Sequence, residues 1–297
     1  MKYFLDILRG VVIGVANIIP GVSGGTMMVS MGIYDTLIHC ITHLFKEFKK
    51  SILTLLPYII GMVVGIIGLS FAVTWGLDYY PFQTNALFIG LIIGGVPAIW
   101  QNIRDEKFSL GGGMGLFLLL FAVGVGLKLM QGETVAVITL NFGTIILLVL
   151  IGALASATMV IPGVSGSMIL MLLGYYRPVT SALKGLVTHL TSGETGAFLG
   201  DIGMLLPFAV GIVLGIFGIA KLIEGLMRSH KGLTYCAIAG LVLASPEVII
   251  MTAFEGGQVL TWTSGLMSLV MMALGAAIAW SMGRLDADRA EKDLRRP

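Results

Sequence analysis

Charge is scarce in this sequence. Asp, Glu, Lys and Arg make up 11% of 297 residues, where a soluble domain carries about 25%. Hydrophobic residues make up 57%, and the shortage of charge runs the whole length. That excludes a globular protein with a single anchor and reads as a polytopic, all-α membrane protein. The net charge of +2 is too small to point to nucleic acid. Cysteine is nearly absent. Cys40 and Cys236 have no metal spacing and read as small apolar fillers, not a disulfide framework. The four histidines, His39, His43, His189 and His230, fall near predicted interfaces or in links, with no metal-binding spacing. Paired carboxylates and P-loops are missing too. No cofactor, no metal and no catalytic group are therefore expected. No cleavable signal pattern is seen, because Met1-Lys2-Tyr3 leads straight into an apolar stretch.

Glycine, by contrast, is abundant, at 41 residues, which suits close helix packing and broken helices in lipid. It concentrates in a motif that occurs twice. Ile19-Pro20-Gly21-Val22-Ser23-Gly24-Gly25-Thr26 is echoed by Ile161-Pro162-Gly163-Val164-Ser165-Gly166-Ser167-Met168, with Ile, Pro, Gly, Val, Ser and Gly in the same order. Proline lacks an N–H and glycine is a poor helix former, so each apolar run should break here. In a membrane, broken backbone survives only where protein or a watery cavity covers it. Matching breaks in two halves point to a transporter site.

The repeat extends further. Gly32 and Tyr34 match Gly174 and Tyr176 at an offset of 142. The stretch 55–68 matches 205–218 at an offset of 150, through Leu55, Leu56, Pro57, Gly61, Gly65 and Gly68. Ordered Pro and Gly matches indicate internal duplication. Repeat one is read as 1–130, with a re-entrant hairpin over 4–44 and spans at 52–75, 83–100 and 114–130. A linker covers 131–142. Repeat two is read as 143–282, with a hairpin over 143–183, a polar connector over 184–203, and spans at 204–224, 232–252 and 262–282. A charged tail, 283–297, follows. Each half is thus one re-entrant hairpin plus three transmembrane helices. Three crossings per half turn the second half upside down relative to the first.

Basic residues orient this plan. With the N-terminus in the cytoplasm, 15 of the 18 Lys and Arg fall inside. Only Lys128, Arg177 and Lys184 fall outside. Both termini are therefore expected on the cytoplasmic side of the inner membrane. The same bias would hold if each hairpin were two full crossings, because parity is unchanged.

The motifs carry a chemistry. Ser23, Gly24, Gly25 and Thr26 open a helix, and Ser165, Gly166 and Ser167 open its counterpart. A helix N-terminus offers unpaired N–H groups and partial positive charge, and glycine lets a ligand approach the backbone. Two such ends meeting near the midplane would hold a phosphate or carboxylate. Either serine could instead cap its own helix. Asn17, one turn before the break, can tie down freed backbone or contact a ligand. Asp6 and Arg9 are i,i+3 neighbours that either pair or leave Arg9 facing the cavity. Asp35 and Arg177 follow the two tyrosines near the hairpin mouths, where they can reach water. Glu224 with Lys221 reads as a solvated helix end. Glu247, after Pro246, is the leading candidate for an ion-coupling group, with Asp35 second. Gly21-Val22-Ser23-Gly24-Gly25 also satisfies G-x-S-x-G, so an intramembrane serine hydrolase is an alternative. It lacks a histidine at motif depth, and Ser167 breaks the pattern in the second copy. An ion-coupled carrier of a small soluble anion is another alternative.

Residues 17–38 and 156–176, with their paired Pro-Gly-Val-Ser-Gly motifs, resemble a bacterial and archaeal integral-membrane family of polyprenyl-phosphate transporters, the PopT type. It was formerly described as a domain of unknown function. The resemblance covers essentially the whole chain. It implies a flippase that returns undecaprenyl phosphate, the lipid carrier of peptidoglycan and other envelope sugars, from the outer to the inner leaflet for recycling. It places the family's motif residues on Pro20, Gly21, Ser23, Gly24, Gly25 and Thr26, and on Pro162, Gly163, Ser165, Gly166 and Ser167. Arg177 departs from the acidic residue common there, which argues against a symmetric acidic pair with Asp35. The partners to expect are the lipid, a proton or sodium ion, and a second copy of the chain in a homodimer.

Overall fold

The computed structural model describes residues 2–17, 23–104, 106–130, 136, 138–139, 141–192, 194–255 and 260–294. Twelve helices and no strands are found among them. They are α1 (Lys2–Ala16), α2 (Gly24–Ser30), α3 (Tyr34–Thr42), α4 (Phe48–Tyr79), α5 (Pro81–Arg104), α6 (Leu110–Leu129), α7 (Phe142–Val160), α8 (Gly166–Leu172), α9 (Tyr176–Ser192), α10 (Thr195–Ser229), α11 (Lys231–Glu255) and α12 (Trp262–Leu294). Seven are long and apolar enough to cross a membrane: α4, α5, α6, α7, α10, α11 and α12.

This departs from the six expected spans in three ways. First, α7 has 19 residues and enough apolar length to cross, although its segment reads as a hairpin limb. Its counterpart α1 has 15 residues, about 22 Å against a hydrocarbon core of about 30 Å. Second, the region 184–203 is not a connector. α9 continues to Ser192 and α10 begins at Thr195, because Leu183, Leu186 and Leu190 keep helical spacing in the one and Leu199 and Ile202 in the other. Third, each segment read as the second limb of a hairpin is two helices, not one. The break falls at Gly32 (φ 72°) and Gly174 (φ 80°), which match in the sequence repeat. Positive φ is nearly free for glycine and costly for any residue with a Cβ.

The helices that carry the sequence matches pack in corresponding pairs. α1 lies on α4 and α7 lies on α10. α5 lies on α12, and α6 on α11. These contacts are backbone to backbone. A methyl added at Gly61 or Gly65 would strike the carbonyls of Ile7 and Val11. One added at Gly211 or Gly215 would strike those of Val149 and Ala153. Gly68 and Gly218, the third matched pair, each face open space. Matched glycines thus do matched work, and the close approach they permit supplies the dispersion contacts that lipid cannot replace.

The core gathers around α2 and α3 and the helices that face them. Ile13, Met27, Met31, Tyr34, Ile92, Val242 and Ile249 are buried in one cluster that draws on both halves. A smaller group joins Val164 and Met168 to Leu241 of α11. Large apolar side chains point outward instead along α4, α10 and α12, among them Ile67, Phe71, Val213, Leu214, Leu266 and Val270. That is the surface a lipid-embedded bundle presents.

Candidate functional site

The two motif-bearing segments touch. The Gly163 N–H donates to Thr26 Oγ1 at 2.7 Å, a bond between residues 137 apart in sequence. Thr26 is fully buried. A methyl added at Gly25 would lie 2.9 Å from the Val160 carbonyl oxygen and 3.2 Å from Pro162. From the start of α3, the Tyr34 hydroxyl donates to the Val160 carbonyl at 3.1 Å. So α2 and α3 of the first half hold the loop that joins α7 to α8 in the second. On its other side Gly163, at φ 83°, leaves no room for a Cβ beside the Leu241 carbonyl.

The two helix starts are used differently. Ser23, buried and extended (φ −109°, ψ 138°), caps α2 by accepting the Gly25 N–H at 3.2 Å. The Asn17 side-chain oxygen accepts the Gly24 N–H at 3.2 Å. The Gly24 and Gly25 amides that open α2 are thus already bonded within the protein. Ser165 has a similar backbone (φ −95°, ψ 129°) but does not cap α8. Its hydroxyl meets that of Ser167 at 2.8 Å. Both serines are half-buried, and the first-turn amides of α8 have no side-chain cap. Of the two loops, the second keeps the arrangement suited to an anion. Pro20 and Gly21 lie outside the described residues. Gly166 packs on Met159 and the Ala155 carbonyl, and Pro162 is buried.

Arg9 is elsewhere. It is 2% exposed and donates to Asp6 Oδ1 at 3.1 Å and to the Met282 carbonyl at 3.3 Å. Tyr58 donates to the same Asp6 oxygen at 3.1 Å. Of the two readings open for Arg9, pairing is the one observed. The cluster ties α1 to α4 and α12, about 12 Å along the helix from Asn17. Asp35 accepts from the Tyr235 hydroxyl of α11, so it is a bridge between halves and not only a group reaching for water. Glu247 is exposed on α11, and Arg177 is exposed at the start of α9. Glu224, read with Lys221 as a solvated helix end, is instead half-buried and bonded to Arg228 at 2.8 Å, with His39 and His43 beside it. Tyr34 and Tyr235 escaped the sequence reading as site residues. Tyr34 was visible as a repeat match, but Tyr235 carries no local signal.

An apolar groove of about 730 Å³ runs between α5, α11 and α12, lined by residues such as Phe82, Ile89, Ile250, Phe254 and Leu269, with Asn85 as a polar group. Further along α5, Gly95 packs on Ser30 at the end of α2. From Ile89 to Gly95 is about 9 Å along the helix.

A helical bundle with seven membrane-length helices, in which two motif-bearing segments grip one another, is a multi-pass membrane protein. The chain belongs to the undecaprenyl phosphate translocase-like family (VCA0040-like), whose model matches residues 13–264 and 201–294. It is 30% identical over 263 residues to a polyprenyl-phosphate transporter of Vibrio cholerae, covering 82% of this chain and 77% of that one. It is 30% identical over 296 residues to a polyprenyl-phosphate transporter of Staphylococcus aureus, covering 96% and 98%. No solved structure matches it.

Proposed function

We propose that this protein moves polyprenyl phosphate, in the first instance undecaprenyl phosphate, across the cytoplasmic membrane from the outer to the inner leaflet, as part of lipid-carrier recycling for envelope polysaccharides. The observation that carries the reading is the bond from Gly163 to Thr26 beside a helix start whose amides lack a cap. A lipid phosphate needs a place for an anion within hydrocarbon, where a bare charge is costly. Uncapped amides and the Ser165 and Ser167 hydroxyls supply hydrogen bonds to it without a buried lysine. The apolar groove supplies a path for the isoprenoid tail. A small soluble anion has no use for such a groove. A serine hydrolase needs a base on its nucleophile. Among the described residues, the contacts of Ser23 Oγ and Ser165 Oγ are the Gly25 amide and the Ser167 hydroxyl.

The matched packing of α1 on α4 and α7 on α10 supports two repeats of inverted topology, repeat one over 1–130 and repeat two over 143–282, each with a re-entrant hairpin. Exchange between outward and inward states would then be a rocking of the halves about the shared loops, with Asp35 and Tyr235 as one strap between them. Glu247, exposed and one residue past Pro246, is the coupling group for a proton or sodium ion.

The test is uptake of a short-chain polyprenyl phosphate into vesicles containing purified protein. Ser165→Ala with Ser167→Ala should lower the rate at least about tenfold, the scale of two lost charge-assisted hydrogen bonds of about 1.5 kcal/mol or more. Uptake unchanged in that variant contradicts the assignment.

A further inference from the structure

Away from the motif loops, three metal-ligating side chains converge where α3 meets α10. His39 and His43 stand at i and i+4 in and just past the last turn of α3, their rings stacked with centroids 4.1 Å apart. Glu224 reaches them from α10. Its Oε1 lies 3.5 Å from His39 Nδ1 and 3.5 Å from His43 Nδ1. One ligand atom from each residue can be chosen so that all three lie within 4.8 Å of one another.

These separations match a specific geometry. Zinc binds imidazole nitrogen and carboxylate oxygen at about 2.0–2.2 Å in a tetrahedron, which puts neighbouring ligand atoms about 3.4 Å apart. That is close to both nitrogen–oxygen distances here. Two histidines one turn apart with a carboxylate from a second element form a His₂Glu set, leaving a fourth position for water. We propose that His39, His43 and Glu224 form a binding site for a borderline divalent transition ion, Zn²⁺ in the first instance, which fastens α3 to α10.

The neighbouring groups define the competition. Arg228 Nη2 lies 2.8 Å from the same Glu224 oxygen, and its side chain is 68% exposed, so it can swing away. Thr42 Oγ1 lies 3.0 Å from His43 Nδ1. Glu47, in the turn that follows, adds a negative charge. The Lys50 ammonium bonded to it at 2.8 Å holds its carboxyl below the ordinary carboxylate range. The site joins elements far apart in sequence. α3 also touches the second motif loop through Tyr34 and α11 through Asp35, so the ion would pin the far end of a nine-residue helix whose near end holds the central site.

The experiment is a calorimetric titration of Zn²⁺ into full-length protein in detergent, purified without a polyhistidine tag, with Co²⁺ absorption as a second readout. One ion per chain is expected, with the visible d–d bands of four-coordinate Co²⁺. His39→Ala with His43→Ala, and separately the isosteric Glu224→Gln, should weaken binding at least about tenfold, as even outer-shell losses do. Arg228→Gln should tighten it several-fold by removing the competing cation. Titration of the wild type that matches the His39→Ala/His43→Ala variant, or absence of saturable binding, overturns the proposal. Because Glu224→Gln is isosteric and Arg228→Gln shortens a side chain that is 68% exposed, opposite shifts from these two support it even if the histidine variant fails to fold.

Discussion

Thr26 has no ionisable group, yet its hydroxyl is what joins the two halves at the motif. Thr26→Val keeps its shape, removes the acceptor and leaves the Gly163 N–H without a partner in a buried place. The expected cost is about 1–3 kcal/mol, read as a lower midpoint of thermal unfolding in detergent. The serines separate stability from transport. Ser23→Ala removes a helix cap and should cost about 1 kcal/mol. Ser165→Ala removes no cap and should change stability by less than about 0.5 kcal/mol, while uptake falls. Equal unfolding midpoints for the two variants would contradict this division. The sequence could not show the division, because both serines occupy the same motif position. What differs is the partner: Asn17 and Ser23 itself bond the amides of α2, whereas Ser165 is turned to Ser167.

At the scale of elements, the interruptions at the motifs were legible from proline and glycine chemistry, whereas the breaks at Gly32 and Gly174 were visible only as repeat matches and not as helix ends. The pairing of Gly61 and Gly65 with Gly211 and Gly215 was legible as well. The extent of α9 and the start of α10 were not, because a polar stretch such as 184–203 keeps helical spacing that composition alone hides. Two glycines give contrasting predictions. Gly32 has nothing within 4 Å of an added methyl, so Gly32→Ala should cost only the conformational penalty of about 1–2 kcal/mol. Gly61→Leu drives a side chain into the Ile7 carbonyl and should separate α1 from α4. The loss should be about 1–3 kcal/mol or more, seen as aggregation or a collapsed unfolding midpoint. Tolerance of Gly61→Leu would contradict the close packing of those helices.

For the whole molecule, the charge bias predicts sidedness. A cysteine placed at Glu106, in the link before α6, should react with a membrane-impermeant reagent only from the cytoplasmic face. One at Glu194, in the link before α10, should react only from outside. Labelling of both from one face would exclude the inverted arrangement. Long-range contacts such as Tyr235 to Asp35, or Glu224 to His39 and His43, were beyond the sequence. They depend on α3 packing against α10 and α11, nearly two hundred residues onward, and no local period encodes that.

The most direct test of the account is a structure of the protein with polyprenyl phosphate bound in a lipid nanodisc. The phosphate should lie within about 3 Å of the Ser165 or Ser167 hydroxyls and the first amides of α8, beside Thr26 and Gly163, with the tail leaving along α5. A head group bound at a membrane face, away from these loops, would contradict it.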